Sequence, residues 1–468
     1  MTSCTLRAEH QSRDQVQVQV QVREQEERGG VSCTRCMMDR RVERFSSPGK
    51  GHGLRALVPL RAGELVFMAE PYAHIVSKQA MKTTCEKCFA RKETLLRCSR
   101  CKTAHYCNAA CQRKAWSEHK RECKCLRSLL PRIPGTVNDS VRLVARVIFR
   151  LLDPKPSAAE ELYSLVELES HISDISMDKM EGLKELCTML LLYLKEEVND
   201  MSQLPPNLDP INLFARVTCN CFTISDGELK EAGVGLYPSM SLLNHDCEPN
   251  CVVMFQGIQL HLRAIRDIKA LEELTISYID VMMPSEDRKR RLQEQYHFLC
   301  QCVRCATADK DADMLAGDEV VWRRFSDAIH CMEKLQSECQ WDELLGGCQA
   351  LLGDFGGTAV PDSNVYTLRL LDMAMDACIN LGLWERALEY GTRTLQPYGL
   401  YYSEAHPARA VQLMRVGKLQ HYLGQLEEAR FTLGQACDIM KVTHGCEHSL
   451  TYELRRMLDE CQAELGCD

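Results

Sequence analysis

The sequence predicts an α+β chain of several domains, and three observations predict it. Short runs punctuated by glycine, Gly51-His52-Gly53-Leu54-Arg55-Ala56 and Leu60-Arg61-Ala62-Gly63-Glu64-Leu65-Val66-Phe67, read as strands joined by turns, and Glu272-Glu273-Leu274-Thr275-Ile276-Ser277-Tyr278 reads as a strand leading to a tyrosine. Between Cys85 and Cys123 stand eight soft or borderline metal ligands at paired spacings. From about Thr307 the chain is helical, and Leu381-Gly382-x4-Ala387 recurs as Leu423-Gly424-x4-Ala429, with His406 recurring as His448, at an interval of forty-two. At 468 residues, 45% hydrophobic and 26% charged, there is room for about three domains. No apolar run reaches the roughly 18 residues of a spanning helix, and the start lacks a signal peptide's apolar core, so an intracellular protein with no membrane contact is expected. Twenty-seven cysteines, several in C-x2-C pairs, then point to metal thiolates in a reducing compartment rather than to disulfides.

The chemistry gathers around Ser241-Leu242-Leu243-Asn244-His245-Asp246-Cys247-Glu248-Pro249-Asn250-Cys251. Asn, His, Asp and Cys are poor strand formers that need a partner for every buried donor and acceptor. Placed straight after an apolar run, they make either a surface turn with an incidental cysteine or a buried functional loop. Two later stretches bear on that choice: the strand ending in Tyr278, and Cys300-x-Cys302-x2-Cys305. In that order, Asn244-His245-x-Cys247-x-Pro249-Asn250, the strand with Tyr278 and the cysteine run resemble the SET domain of protein lysine methyltransferases. The resemblance implies S-adenosylmethionine as methyl donor and a third zinc site of Cys247, Cys300, Cys302 and Cys305.

Taken from the start, residues 1–41 read as a disordered extension, because the alternating valines of 15–22 sit in a polar, charged segment. Cys33-x2-Cys36 has ligand spacing but no partner pair nearby, so chance placement is the reading. By the same resemblance, residues 42–84 would be the first half of the SET fold. Its glycines serve either a hairpin or the close approach of backbone to a ligand. The resemblance favours the second and nominates Lys50 and His52 for the cofactor, His52 standing where the family more often has Asn.

Residues 85–123 form a zinc finger. Cys85-x2-Cys88-x9-Cys98-x2-Cys101-x5-Cys107-x3-Cys111-x7-His119-x3-Cys123 fills two closed tetrahedral sites, which argues for structure rather than catalysis. The spacing resembles the MYND finger, whose interleaving would put Cys85, Cys88, Cys107 and Cys111 on one ion and Cys98, Cys101, His119 and Cys123 on the other. From Lys82 to Lys124 there are twelve Lys and Arg against four Asp and Glu, a basic surface that is either simply solvated or meets nucleic acid or an acidic partner. By resemblance, such fingers dock proline-rich peptides.

Residues 124–217 read as a helical insert, with apolar spacing in 141–149 and 183–194 and prolines at 154, 156, 205 and 206 as punctuation. Tyr163, Glu169 and His171 fall where the family touches the cofactor, His171 again replacing an Asn. Phe214 to Ile224 is expected to return to strand, opening the core SET segment 218–280, with Asn220 at a cofactor position and Phe222 at a lysine-channel position. A methyl group leaves a sulfonium and is attacked in line by a neutral lysine amine, so the site must orient its reactants and disfavour charge on the lysine. Tyr278, Phe222 and Tyr296 would build that aromatic channel, and Tyr278 would also hold the amine or the transferring methyl. Asn244 and His245 would anchor the cofactor's ends and Phe298 would stack on its adenine. By strand propensity alone, Tyr278 is an ordinary half-buried tyrosine. Leu271 stands where the family turns on glycine, and since leucine at positive φ is strained, a different turn type is expected.

The resemblance makes residues 281–306 the post-SET zinc segment, and 307–468 reads as a helical domain resembling tetratricopeptide arrays, whose concave faces bind peptides or cover a neighbour. It carries fourteen basic and twenty-six acidic residues, either ordinary solvated helices or an acidic border that attracts a basic tail. From Val42 onward the order of parts resembles the SMYD proteins, and the runs 233–238 and 309–315 look most like that family's third member. The resemblance implies a monomeric lysine methyltransferase with three zinc ions, acting on histone tails and non-histone proteins in cytoplasm and nucleus, with a part in transcription and signalling. Proline-rich peptides or DNA are the partners it implies at the finger. The rival reading is a zinc-finger and helical-repeat adaptor with a degenerate SET site, motivated by His52 and His171.

Overall fold

The computed structural model describes residues 41–129, 136–198, 200–353 and 359–465. The extension 1–41, with Cys33-x2-Cys36, lies outside these apart from Arg41, which pairs with Glu64 at 3.0 Å. An antiparallel hairpin of β1 (Val42–Ser47) and β2 (Gly51–Ala56) opens the fold, followed by β3 (Leu65–Ala69) and β4 (Ala73–Val76). The finger comes next, with β5 (Leu96–Arg97), β6 (His105–Tyr106) and α1 (Ala109–Leu129). Helices α2 (Asp139–Leu152), α3 (Met177–Leu194) and α4 (Pro210–Asn220) then precede β7 (Cys221–Ser225), β8 (Glu231–Leu236), β9 (Asn244–His245), β10 (Cys251–Gln256), β11 (Gln259–Ala264) and β12 (Thr275–Ile276).

The strands on either side of the finger and helices pair with each other, which closes one fold over the interruption. β4 lies beside β8, which lies beside β7, and β3 lies beside β11, which lies beside β10. The parallel pair β9 and β12 sets Asn244 opposite Thr275 and His245 opposite Ile276. One hydrophobic core runs through this part, and α2, buried nearly all round from Val141 to Phe149, delivers Val141, Leu143, Val144, Val147 and Ile148 to it. Its start is capped by Asn138, whose side chain accepts from the backbone N–H of Ser140 and Val141.

Two expectations are corrected here. Phe214 to Asn220 is not strand but the body of α4: the Asp209 carboxylate accepts from Ile211 and Asn212 at 3.1 and 3.3 Å, and Pro210 takes the first helical position. The strand begins only at Cys221. Leu271 does occupy the left-handed region, at φ 65°, in a turn closed by Glu272 N–H donating to Lys269 O at 3.2 Å. The side chain is exposed, so nothing collides with it, and the Leu271 N–H is secured by Ala56 O at 2.7 Å. What remains is local strain of about 1 kcal/mol. Leu271→Gly is therefore expected to raise the melting temperature of the zinc-loaded protein by roughly 2 °C, and an unchanged or lower value in a thermal-shift assay would count against a strained turn.

After β12, α5 (Ser285–Tyr296), α6 (Val303–Thr307) and α7 (Asp311–Met314) lead into helical hairpins: α8 (Glu319–Ser337), α9 (Trp341–Gly353), α10 (Val365–Asn380), α11 (Trp384–Tyr401), α12 (Pro407–Tyr422), α13 (Leu426–Thr443) and α14 (Ser449–Leu465). The forty-two-residue recurrence has a physical content. Gly382 and Gly424, at φ 73° and 75°, end α10 and α12 in the same motif, with Leu383 and Gln425 N–H reaching back to Cys378 and Gln420 O at 2.9 Å each. Ala387 and Ala429 are fully buried where consecutive helices touch. His406 and His448 each accept an N–H two residues on, at 3.2 Å, starting α12 and α14 alike. The domain is tetratricopeptide-like. It closes on the SET core through His444 Nε2 to Gly227 O at 2.9 Å and through the Tyr402 hydroxyl, which donates to Asp280 at 2.8 Å.

Candidate active site

Tyr278 sits just beyond β12, and Leu243, just before β9, and His245, within it, hold it at both ends. Its backbone N–H donates to His245 Nδ1 at 3.0 Å and its hydroxyl donates to Leu243 O at 2.5 Å. The ring packs on Tyr296 with centroids 4.8 Å apart and meets Phe298 edge-on at 6.3 Å. Burial, then the Tyr296 and Glu273 oxygens, raise the Tyr278 pKa, so the hydroxyl stays neutral. Burial also pushes Tyr296 up to about 12. Of the expected channel residues, Tyr278 and Tyr296 are in contact. Phe222, on β7 opposite Gly235, makes a ring contact with Tyr237, edge-on at 5.7 Å.

His245 is buried, and both its ring nitrogens are used within the protein. Nδ1 accepts from Tyr278, so the proton is on Nε2, which faces Cys247 Sγ at 3.3 Å. Burial lowers its pKa to about 4. What His245 can offer a ligand is its main chain and its ring face. Asn244 reaches the β1–β2 hairpin: Nδ2 donates to His52 O at 3.1 Å and to Glu273 Oε1 at 2.8 Å. Lys50 Nζ lies 3.5 Å from Glu273 Oε2. At Gly53, a Cβ would stand 2.9 Å from Glu273 Oε1 and 3.2 Å from Asn244 Nδ2, so the close approach this glycine permits is to the protein's own side chains.

The other expected cofactor residues continue the wall on either side. His52 meets Tyr163 edge-on at 5.9 Å, and Tyr163 is held by Arg44 over its ring at 4.6 Å and by its hydroxyl donating to Glu167 O at 2.6 Å. Asn220, the last residue of α4, donates to Glu169 O at 2.9 Å. His171 stacks on His297 at 5.1 Å, both at positive φ, which carries the chain of contacts to the neighbouring Phe298. Phe298 in turn lies 5.9 Å from His245. A cavity of about 850 Å³ lies elsewhere, where the finger, the core and α14 meet, so it is chemistry rather than volume that places this site.

The cysteines assemble into three clusters: Cys85, Cys88, Cys107 and Cys111; Cys98, Cys101, His119 and Cys123; Cys247, Cys300, Cys302 and Cys305, with the ligand atoms of each within 4.8 Å of one another. Zn–S bonds of about 2.3 Å in a tetrahedron put sulfurs about 3.8 Å apart. Cys88 and Cys107 stand at 3.6 Å, Cys98 and Cys123 at 3.9 Å and Cys247 and Cys305 at 3.5 Å, so the donor sets fit zinc. His119 Nδ1 faces the Glu122 carboxylate at 3.3 Å, the usual support for a metal-bound imidazole, and Arg288 donates to Cys305 Sγ at 3.6 Å.

A family model of the SET domain matches residues 51–279. The chain is 51% identical to the human histone-lysine N-methyltransferase SMYD3 over 425 residues, 91% of this chain and 98% of that protein. The chain belongs to the SMYD family. It is 34% identical to the human N-lysine methyltransferase SMYD2, covering 89% of this chain and 98% of that one. Among solved structures, the SET domain of LSMT bound to lysine and AdoHcy covers 89% of this chain and 91% of its own at 13% identity and a TM-score of 0.32.

As a SMYD protein, the chain is a SET-type protein-lysine N-methyltransferase, and its three cysteine-rich clusters match three zinc ions. No helix of the described residues is long and apolar enough to cross a membrane. Some residues that support this SMYD site and its finger lie outside the motifs. Glu273 lies inside a run that reads only as strand. Glu86 stands within a C-x2-C pair and Glu122 three residues after a ligand histidine, a spacing that does point to second-sphere support. Asp280, two residues past Tyr278, gives no local hint of its bond to Tyr402.

Proposed function

We propose that this enzyme methylates lysines of histone tails and of non-histone proteins, with a part in transcription and signalling, as a monomer in cytoplasm and nucleus. The observation that carries lysine chemistry is the Tyr278 hydroxyl, fixed by Leu243 O inside a wall of Tyr296, His245 and Phe298. Having given its own hydrogen to Leu243, that oxygen keeps its lone pairs to accept from an amine. The aromatic surroundings disfavour a charged lysine, and the orientation does the rest. The cofactor supplies the methyl group on a sulfonium. Lys50, His52, Tyr163, Glu169, His171, Asn220, Asn244, His245 and Phe298 are assigned to its binding, and Phe222 to the outer lysine channel.

Substrate attraction is assigned to the acidic helical domain. The charge that would do this is on exposed acids such as Glu427 and Glu428, since Asp372 is spent on the Tyr398 hydroxyl and burial pushes it up to about 7. The histone assignment is supported by the name of the 51% identical relative. The exposed Arg100, Lys120 and Arg127 leave the finger ready for a proline-rich peptide or DNA. The deciding experiment is transfer of labelled methyl from S-adenosylmethionine to histones and extract proteins. Wild type is expected to label protein, and Tyr278→Phe to fall on the order of a hundredfold with zinc content unchanged. A folded, zinc-loaded wild type that neither labels protein nor binds cofactor would return the adaptor reading.

A further inference from the structure

Glu273 joins segments far apart in the chain. Its Oε1 accepts from the Ser47 hydroxyl at 2.9 Å and from Asn244 Nδ2 at 2.8 Å, while Oε2 faces Lys50 Nζ at 3.5 Å. A carboxylate and the His52 carbonyl are both acceptors only, so the Asn244 atom between them must be its NH2 group, and both its hydrogens are spent there. The amide is thereby locked one way round. That turns Oδ1 away from both acceptors, while the other oxygen of the same carboxylate holds the Lys50 ammonium.

An acceptor beside a cation complements an α-amino acid zwitterion, whose ammonium needs an acceptor and whose carboxylate needs a cation. S-adenosylmethionine ends in such a zwitterion. We propose that Glu273 is a positioning residue for the amino-acid end of the cofactor, fixing the Asn244 amide with its oxygen toward the ligand and holding Lys50 beside it. This rests on the cofactor assignment of Asn244 and Lys50 made above. Glu273 touches neither cofactor nor lysine; it acts through the two residues that do.

The test compares two ligands by titration calorimetry: S-adenosylhomocysteine, which has the amino-acid end, and 5′-methylthioadenosine, which lacks it. Glu273→Ala is expected to weaken S-adenosylhomocysteine by about tenfold, since Asn244 is freed to turn and Lys50 loses its partner, while 5′-methylthioadenosine binding and the KM for a lysine peptide stay within twofold. Glu273→Gln keeps an oxygen for Ser47 and Asn244 and is expected to fall between wild type and alanine, which keeps the test open where alanine unfolds. Equal weakening of both ligands, or of neither, overturns the assignment. Wild type that binds neither ligand overturns the cofactor assignment and this inference with it; wild type that binds both while the variants show no difference overturns this inference alone.

Discussion

Arg142→Met is expected to cost the protein about 3–5 kcal/mol and to speed the loss of zinc from the finger. Arg142 is 1% exposed and bonds three acceptors: Glu122 at 3.0 Å, Glu86 at 2.9 Å and Val76 O at 3.0 Å. Arg146 completes the group by donating to the other oxygens of both carboxylates. Burial works against every charge here, yet Arg142 and Arg146 hold the Glu122 carboxyl well below its usual range, and the two carboxylates hold Arg142 well above its own. Removing one cation leaves two carboxylates sharing Arg146 in a dry core. The consequence is local to the finger, because Glu86 lies between Cys85 and Cys88 and Glu122 orients His119. Heat or urea unfolding, with a chromophoric chelator following zinc, measures both effects. A variant within 1 kcal/mol of wild type with unchanged zinc release would mean that Arg146 alone suffices.

Cys300→Ser is expected to empty the third zinc site and to lower methyl transfer on the order of a hundredfold, with the two finger ions retained. Cys300 follows Phe298 by two residues and shares its ion with Cys247, which follows His245 by two. The ion therefore ties the segment with Tyr296 and Phe298 to the loop that bonds Tyr278 at both ends. With the tie cut, the aromatic wall is free to move by an ångström or more, and a displacement of that size suffices for the loss. Metal analysis and single-turnover methyl transfer on one preparation check it together. Loss of the ion with full activity would show that packing of Val281, Leu292 and Tyr402 holds the segment unaided.

Features that depend on neighbours a few residues apart were legible in the sequence. The pairs C-x2-C and C-x-C-x2-C bring thiolates onto one ion whatever surrounds them, and all twelve expected ligands fall into the three clusters. Leu-Gly at a helix end closes the same motif in both repeats, because glycine is the residue that takes a left-handed cap without strain. The loop around Asn244 and His245 and the strand before Tyr278 were found as pieces for the same reason. Secondary structure was misread where a local signal was overlooked: Asp209-Pro210 starts a helix that runs on through Phe214.

What each piece is bonded to was decided only by tertiary structure. Ser47 and Glu273 are 226 residues apart in sequence and share a hydrogen bond; Arg44 and Glu167 are 123 apart and form an ion pair. No pattern along the chain pairs them, since a charge or a hydroxyl looks the same whether solvated or held. The same holds for His245, a cofactor anchor by motif whose ring nitrogens the fold has already used. The sequence by itself determined which chemistry the protein carries, because residue type and short spacing define ligands and caps. The fold decided which of those groups remain free for cofactor and lysine, because most buried polar atoms are taken by partners within the protein.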